Sequence, residues 1–187
     1  MGDAATPQVQ QRTSRADGKA NMVAATRRLL RDHHPDEITV RDIAEASGHH
    51  HRFVQAWFGG KVGLFREVFD QLIAEMAQRA PNTLTGTGFA EDTKLSARLM
   101  NWLVAADPES MAGGRPTPVI DQIAEVYVGF GLDPELARRM AVRLTSSALG
   151  LILFGDALGV QDDDIVHFVD LERELVLLLA AARSDGA

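Results

Sequence analysis

The chain has 187 residues, 45% of them hydrophobic, and a formal net charge of −7 at neutral pH. That is enough apolar material for one large domain or two small ones. It contains no cysteine, which excludes a disulfide framework, thiolate metal sites and cysteine nucleophiles. No apolar run reaches the roughly 18 residues of a membrane-span candidate, and residues 1–18 lack the apolar centre of a signal peptide; the expectation is a cytoplasmic protein without membrane attachment.

The charge is unevenly spread. Residues 1–61 hold nine Lys/Arg against seven Asp/Glu, a net +2, which leaves −9 on the remainder. A mildly basic, histidine-rich beginning on an acidic body fits nucleic-acid contact through one end, with ordinary compositional variation as the alternative.

Residues 1–17 are polar, without a periodic apolar face, and are expected to form a disordered N-terminal arm. Arg12 and Arg15 could reach phosphate or the minor groove from such an arm; a solvated tail is the plainer reading. A first helix is predicted over residues 18–33, with Met22, Ala25, Leu29 and Leu30 on one face. Pro35 disfavours helix at His34 and stops it, leaving His33 and His34 at a solvated end.

Residues 38–64 are the most informative stretch. Thr39 precedes Val40-Arg41-Asp42, an arrangement in which the threonine hydroxyl caps a new helix and Asp42 sits in its first turn. Val40, Ile43 and Ala44 fall on one face and leave Arg41 and Glu45 outside. Gly48 stands where a left-handed helix-ending residue is needed. A second short helix is predicted from about His50, with Val54, Phe58 and part of Trp57 inward and His51, Arg52 and Gln55 on a polar face. Gly59-Gly60 ends it, and Lys61 opens a fourth helix that runs to about residue 80.

These residues resemble the TetR (tetracycline-repressor-like) family of bacterial transcription regulators, whose pattern T-x-x-x-I-A-x-x-x-G, recognition-helix aromatic, then Lys is matched here by Thr39, Ile43, Ala44, Gly48, Phe58, Lys61 and Leu64. The motif resemblance covers Ala20 to about Leu72. It departs from the family at His50, Gln55 and His34. The resemblance implies an all-α fold: an N-terminal three-helix helix-turn-helix head (18–64), joined by the fourth helix to a C-terminal helical effector-binding and dimerisation domain (65–187).

Side-chain chemistry suggests roles within such a head. Arg41 and Arg52 can donate two hydrogen bonds to a guanine edge, and Gln55 can pair with adenine. Thr39, Trp57 and Lys61 suit phosphate through hydroxyl, indole N–H and ammonium. His49, His50 and His51 could meet phosphate oxygens or base edges near a helix N-terminus. Phe53 could touch a thymine methyl or pack on the neighbouring histidines. The plain alternatives are exposed charge for the polar residues and packing for Trp57. Three consecutive histidines point about 100° apart on a helix and do not converge on one ion, so no metal is expected.

Past the turn-rich segment 81–88, about five further helical pieces are predicted, among them 89–106, 119–130, 134 to about 158, and the last beginning at Asp162-Asp163-Asp164, with a loop over 113–118. Asp133 caps and Pro134 opens the long helix. Residues 146–155 and 175–182 are apolar around most of their circumference, so those helices must be buried on several sides. Either they form a central hairpin within a monomer, or, as in the family, they pair with a second copy; Ser147, Ala148, Gly150 and Gly155 are small enough for close approach. The resemblance also implies a ligand cavity, for which Met100, Trp102, Tyr127 and Met140 are the candidates, plain core being the alternative. His167 is expected to be partly buried.

The function expected is a homodimeric, sequence-specific regulator of double-stranded operator DNA, released by an apolar or amphipathic small-molecule effector, with no enzymatic activity and no cofactor. The alternatives are a DNA-binding regulator controlled by a protein partner and, more remotely, a small helical metal protein or enzyme using the histidines.

Overall fold

The computed structural model describes residues 14–79 and 87–184. Among them lie nine α-helices and no strand, so the fold is all-α. The chain divides into two compact units, Met1–Leu64 and Phe65–Ala187.

The first unit begins with α1, Arg15–Asp32. Ser14 and Asp17 cap it reciprocally: the Asp17 N–H donates to the serine oxygen at 3.1 Å and the serine hydroxyl donates to the Asp17 carboxylate at 2.6 Å. The predicted arm therefore ends earlier than residue 17, and Arg15 belongs to a helix because Ser-x-x-Asp supplies a capping box. Arg12 and the rest of the arm lie outside the described residues. The buried side of α1 carries Gly18, Met22, Val23, Ala25, Thr26 and Leu30. Thr26 stays satisfied there by donating to the Met22 carbonyl at 2.8 Å. α1 packs on α2, Val40–Ser47, which a turn joins to α3, Arg52–Phe58. Ile38, Ile43, Val54 and Leu64 complete the buried apolar set of this unit.

α4, Lys61–Arg79, supplies Phe65, Val68, Phe69, Leu72 and Met76 to the buried set of the second unit. α5, Thr87–Ala106, adds Leu95, Leu99 and Leu103. A short helix that the sequence reading missed follows, α6, Pro108–Met111, capped by Asp107. Ser110 hydrogen bonding holds the Asp107 carboxyl below the usual carboxylate range, and Arg66 at 3.3 Å adds to this. Arg115 donates to the Ser110 carbonyl and pairs with Asp70. Arg79 pairs with the buried Asp92 at 2.8 Å. These ion pairs tie α4 to the segment from α5 to Arg115.

The other core of this unit is built by α7, Pro118–Gly129, α8, Pro134–Leu158, and α9, Asp162–Ser184. Asp133 caps α8 from the position expected, its side chain accepting from the Leu136 N–H at 2.9 Å. Ile123, Tyr127, Leu132, Ala137, Met140, Ala141, Leu144, Val176 and Ala180 form one buried cluster. Arg143 of α8 pairs with the buried Glu172 of α9.

A buried hairpin within the single chain is not what α8 and α9 form. Phe154 and Leu158 are 60% and 68% exposed, and Leu171 and Leu178 are 62% and 68% exposed. One side of each helix serves the core and the other is an apolar stripe left uncovered among the described residues. Open space surrounds the position of a Cβ on Gly150, whereas Gly155 faces Val160 of its own chain and so is not part of the uncovered stripe. Contrary to expectation, α8 is long and apolar enough to cross a membrane by length and composition, with mean hydropathy 1.4 over an 18-residue window. Arg143, Thr145, Ser146 and Ser147 interrupt it, which is why no unbroken apolar run appears in the sequence. His167 is exposed rather than partly buried.

Candidate nucleic-acid interface

The segment from Thr39 to Lys61 is built by local rules that the sequence states directly. Thr39 accepts from the Asp42 N–H at 3.2 Å, while the Thr39 N–H and hydroxyl both donate to the Asp42 carboxylate at 2.7 Å. The backbone bond, then the hydroxyl bond, hold Asp42 below the usual carboxylate range. Gly48 ends α2 in the left-handed region at φ 68°, its N–H bonded to the Ala44 and Glu45 carbonyls. A side chain with a Cβ would be strained there. Gly59 ends α3 in the same way at φ 74°.

α3 has seven residues and no side-chain cap at His51. Instead the Arg52 N–H donates to His50 Nδ1 at 3.2 Å, and the His50 and His51 rings lie 4.2 Å apart. Val54 is fully buried and anchors the helix, while His50, His51, Arg52 and Gln55 are exposed, as the periodicity predicts. Arg52 and Gln55, three apart, share one side of α3. Arg41 is exposed on α2. An exposed guanidinium and an exposed amide at these places have the donor and acceptor pattern that base edges require.

Three of the expected contact residues are committed elsewhere. Trp57 does not stand free: its ring lies against α1 where Gly18 has no side chain, and a Cβ on Gly18 would be 2.7 Å from Trp57 Cη2. Phe53 stacks on Trp57 with ring centroids 4.4 Å apart and planes 14° from parallel. His49 meets the Trp57 ring edge-on at 5.7 Å, and its Nε2 is buried with no hydrogen-bond partner among the described residues. His49 therefore does not offer that nitrogen to a phosphate. Phe53 takes the packing alternative, though mainly on Trp57. The Phe-x-x-x-Trp spacing puts two aromatics on one helix face and was the available signal; the role of Gly18, 39 positions away from Trp57 in sequence, had none.

Lys61 opens α4 half-buried. Burial lowers the pKa of its ammonium below the ordinary lysine value, against the opposing pull of Asp36 and Asp42. Lys19 lies over the Phe58 ring at 5.1 Å, a cation–π contact that caps the inward aromatic of α3.

The histidines do not gather into a metal site, and no group of three or more His, Cys, Asp or Glu able to hold a metal occurs among the described residues. The four residues suggested for an effector lie on α5, α7 and α8. Tyr127 and Met140 are buried in the α7–α9 cluster, Trp102 lies 5.1 Å from the Phe65 ring, and Met100 is half-buried on α5. Burial, and secondarily Glu172, push the Tyr127 hydroxyl up to about 12. A shallow surface depression is lined by Glu135, Arg138, Arg139 and Val142 and includes none of the four.

No family model matches the chain, and no curated protein matches it in sequence.

Proposed function

We propose that the chain is a sequence-specific DNA-binding transcription regulator of the tetracycline-repressor-like kind, acting as a cytoplasmic homodimer. The observation that carries this reading is the α2–turn–α3 segment. A Thr39–Asp42 capping box and a left-handed Gly48 fix two short helices. Exposed Arg41, Arg52 and Gln55 then stand on the unit whose sequence carries the positive charge balance. Arg41, Arg52 and Gln55 would read base edges, with Thr39 and Lys61 on phosphates.

The uncovered stripes of α8 and α9 support pairing with a second copy. A two-fold dimer presents two reading heads to a pseudopalindromic site, and half of such a pair binds weakly. A bilayer is the poorer cover for α8, because its apolar stretch carries Arg143, paired with the buried Glu172 of α9. Burying those groups in hydrocarbon is costly.

Binding of a fluorescent duplex by the full chain tests the reading. Affinity should fall steeply with salt, and Lys61→Ala should weaken all sequences alike and make the salt slope shallower by about one. Arg41→Ala should instead lose discrimination at one base pair per half-site, by roughly 1–3 kcal/mol. Identical selection patterns for the two variants would remove these roles, and salt-insensitive or absent binding would remove the function.

A further inference from the structure

Arg52 is exposed on α3, yet its guanidinium is not loose. Its Cζ lies 5.0 Å from the centroid of the Phe53 ring, within cation–π range. Phe53 in turn is stacked on Trp57 at 4.4 Å and nearly parallel, so it has a flat aromatic backing that limits its own rotation. His49 closes the edge of both rings, at 6.5 Å from Phe53 and 5.7 Å from Trp57. Trp57 rests on the bare backbone of Gly18 in α1. The order is thus α1 backbone, indole, phenyl, guanidinium.

We propose that Trp57 and Phe53 are positioning residues: a column seated on Gly18 that holds the Arg52 guanidinium for a base contact, setting sequence discrimination without touching DNA themselves. The proposal rests on the DNA-reading function above and assigns its specificity to a particular packing arrangement. The physical argument is preorganisation. An arginine on a short helix end samples many rotamers, and a planar fork held against a ring loses less freedom when it forms two hydrogen bonds to a guanine edge. A lone exposed arginine binds phosphate well enough; base discrimination needs a fixed direction. The same column explains why Phe53 and Trp57 share one face of a helix whose only fully buried side chain is Val54.

The test is binding-site selection from a randomised duplex pool with the full chain, comparing wild type, Arg52→Ala, Phe53→Leu and Phe53→Tyr. Leucine keeps an apolar side chain at a half-buried position and removes the ring, whereas tyrosine keeps the ring. Arg52→Ala should erase a preference of roughly 5- to 150-fold at one base pair per half-site. Phe53→Leu should shrink the preference at that same base pair by about 2- to 5-fold, the scale of an exposed cation–π contact, and leave the Arg41-dependent position intact. Phe53→Tyr should restore it. The column is overturned if Phe53→Leu selects as wild type does. It is equally overturned if that variant loses preference at a thymine Arg52→Ala does not affect, or loses preference evenly at every position. A wild type that selects no sequence overturns the DNA-reading function itself and the column with it, an outcome distinct from the others.

Discussion

Gly18 and Trp57 meet at a point where α1 has no side chain to give: a Cβ on Gly18 would lie 2.7 Å from Cη2 of the indole and 3.1 Å from Cζ3. A glycine inside a helix ordinarily costs about 1 kcal/mol relative to alanine. Here that cost is offset by an aromatic contact against bare backbone. Gly18→Ala should therefore destabilise the chain, because overpacking against a rigid ring costs about 1–3 kcal/mol and exceeds the gain in helix propensity. In a Trp57→Leu background the same substitution should become stabilising by about 1 kcal/mol. A double-mutant cycle from urea unfolding checks the change of sign, and additive effects of the two substitutions would show that the contact carries no energy.

The Thr39–Asp42 box makes a prediction about acid. Asp42 has its folded-state pKa lowered by hydrogen bonds from Thr39. The stability it contributes is therefore present above the ordinary carboxylate range and is lost as pH falls through the lowered folded value. Thr39→Ala removes the hydroxyl bonds and should cost about 1 kcal/mol near neutral pH. It should also return the Asp42 titration, followed by carboxyl NMR, toward its ordinary value. An unchanged Asp42 titration in Thr39→Ala would show that the backbone bond alone holds it.

Why this box was legible and the Gly18–Trp57 contact was not is a matter of range. Thr39 and Asp42 are three apart, and a capping box needs only those two side chains and the first helical turn. The same holds for Gly48 and for Asp133-Pro134. Ser14–Asp17 and Asp107-Pro108 are equally local, but polar surroundings mask the first, and the second, with the same start pattern as Asp133-Pro134, opens a helix of only four residues. The contact of Gly18 with Trp57 depends on how α1 and α3 cross, which periodicity does not encode. Composition likewise marked α8 and α9 as apolar on most sides without showing which side their own chain covers.

Tyr127 gives an alkaline prediction of opposite sense to Asp42. Its folded-state pKa is raised to about 12, above the ordinary tyrosine value, by burial and by the Glu172 carboxylate. A raised folded value means the native state holds the phenolic proton more tightly, so this stability is complete below pH about 10 and is lost as pH rises toward 12. Wild type should lose up to about 2 kcal/mol more than Tyr127→Phe over that interval. Denaturant unfolding of both proteins at several alkaline pH values measures the difference, in which the titration of lysines common to both cancels. Parallel pH profiles would mean that the hydroxyl is hydrated in the folded state.

The last prediction concerns the uncovered stripes. Leu171 and Leu178 lie on one side of α9, seven residues apart, and both are about two-thirds exposed in the single chain. A residue already exposed contributes little to the fold of its own chain, so Leu171→Glu with Leu178→Glu should leave helicity and the unfolding transition of the monomer nearly unchanged. Association should respond sharply. Burying a leucine is worth about 1.5–3 kcal/mol, and a two-fold interface contains each residue twice, so four leucines are removed from one dimer and four charges of one sign are placed in their stead. Sedimentation at micromolar concentration should show a dimer for wild type and a folded monomer for the double variant, with operator affinity lost in parallel. Gly150→Arg should give the same result from α8, because the space around Gly150 is open in the single chain and would be filled only by a partner. A variant that stays dimeric would place the subunit contact elsewhere, and one that unfolds would mean that these leucines are covered within their own chain.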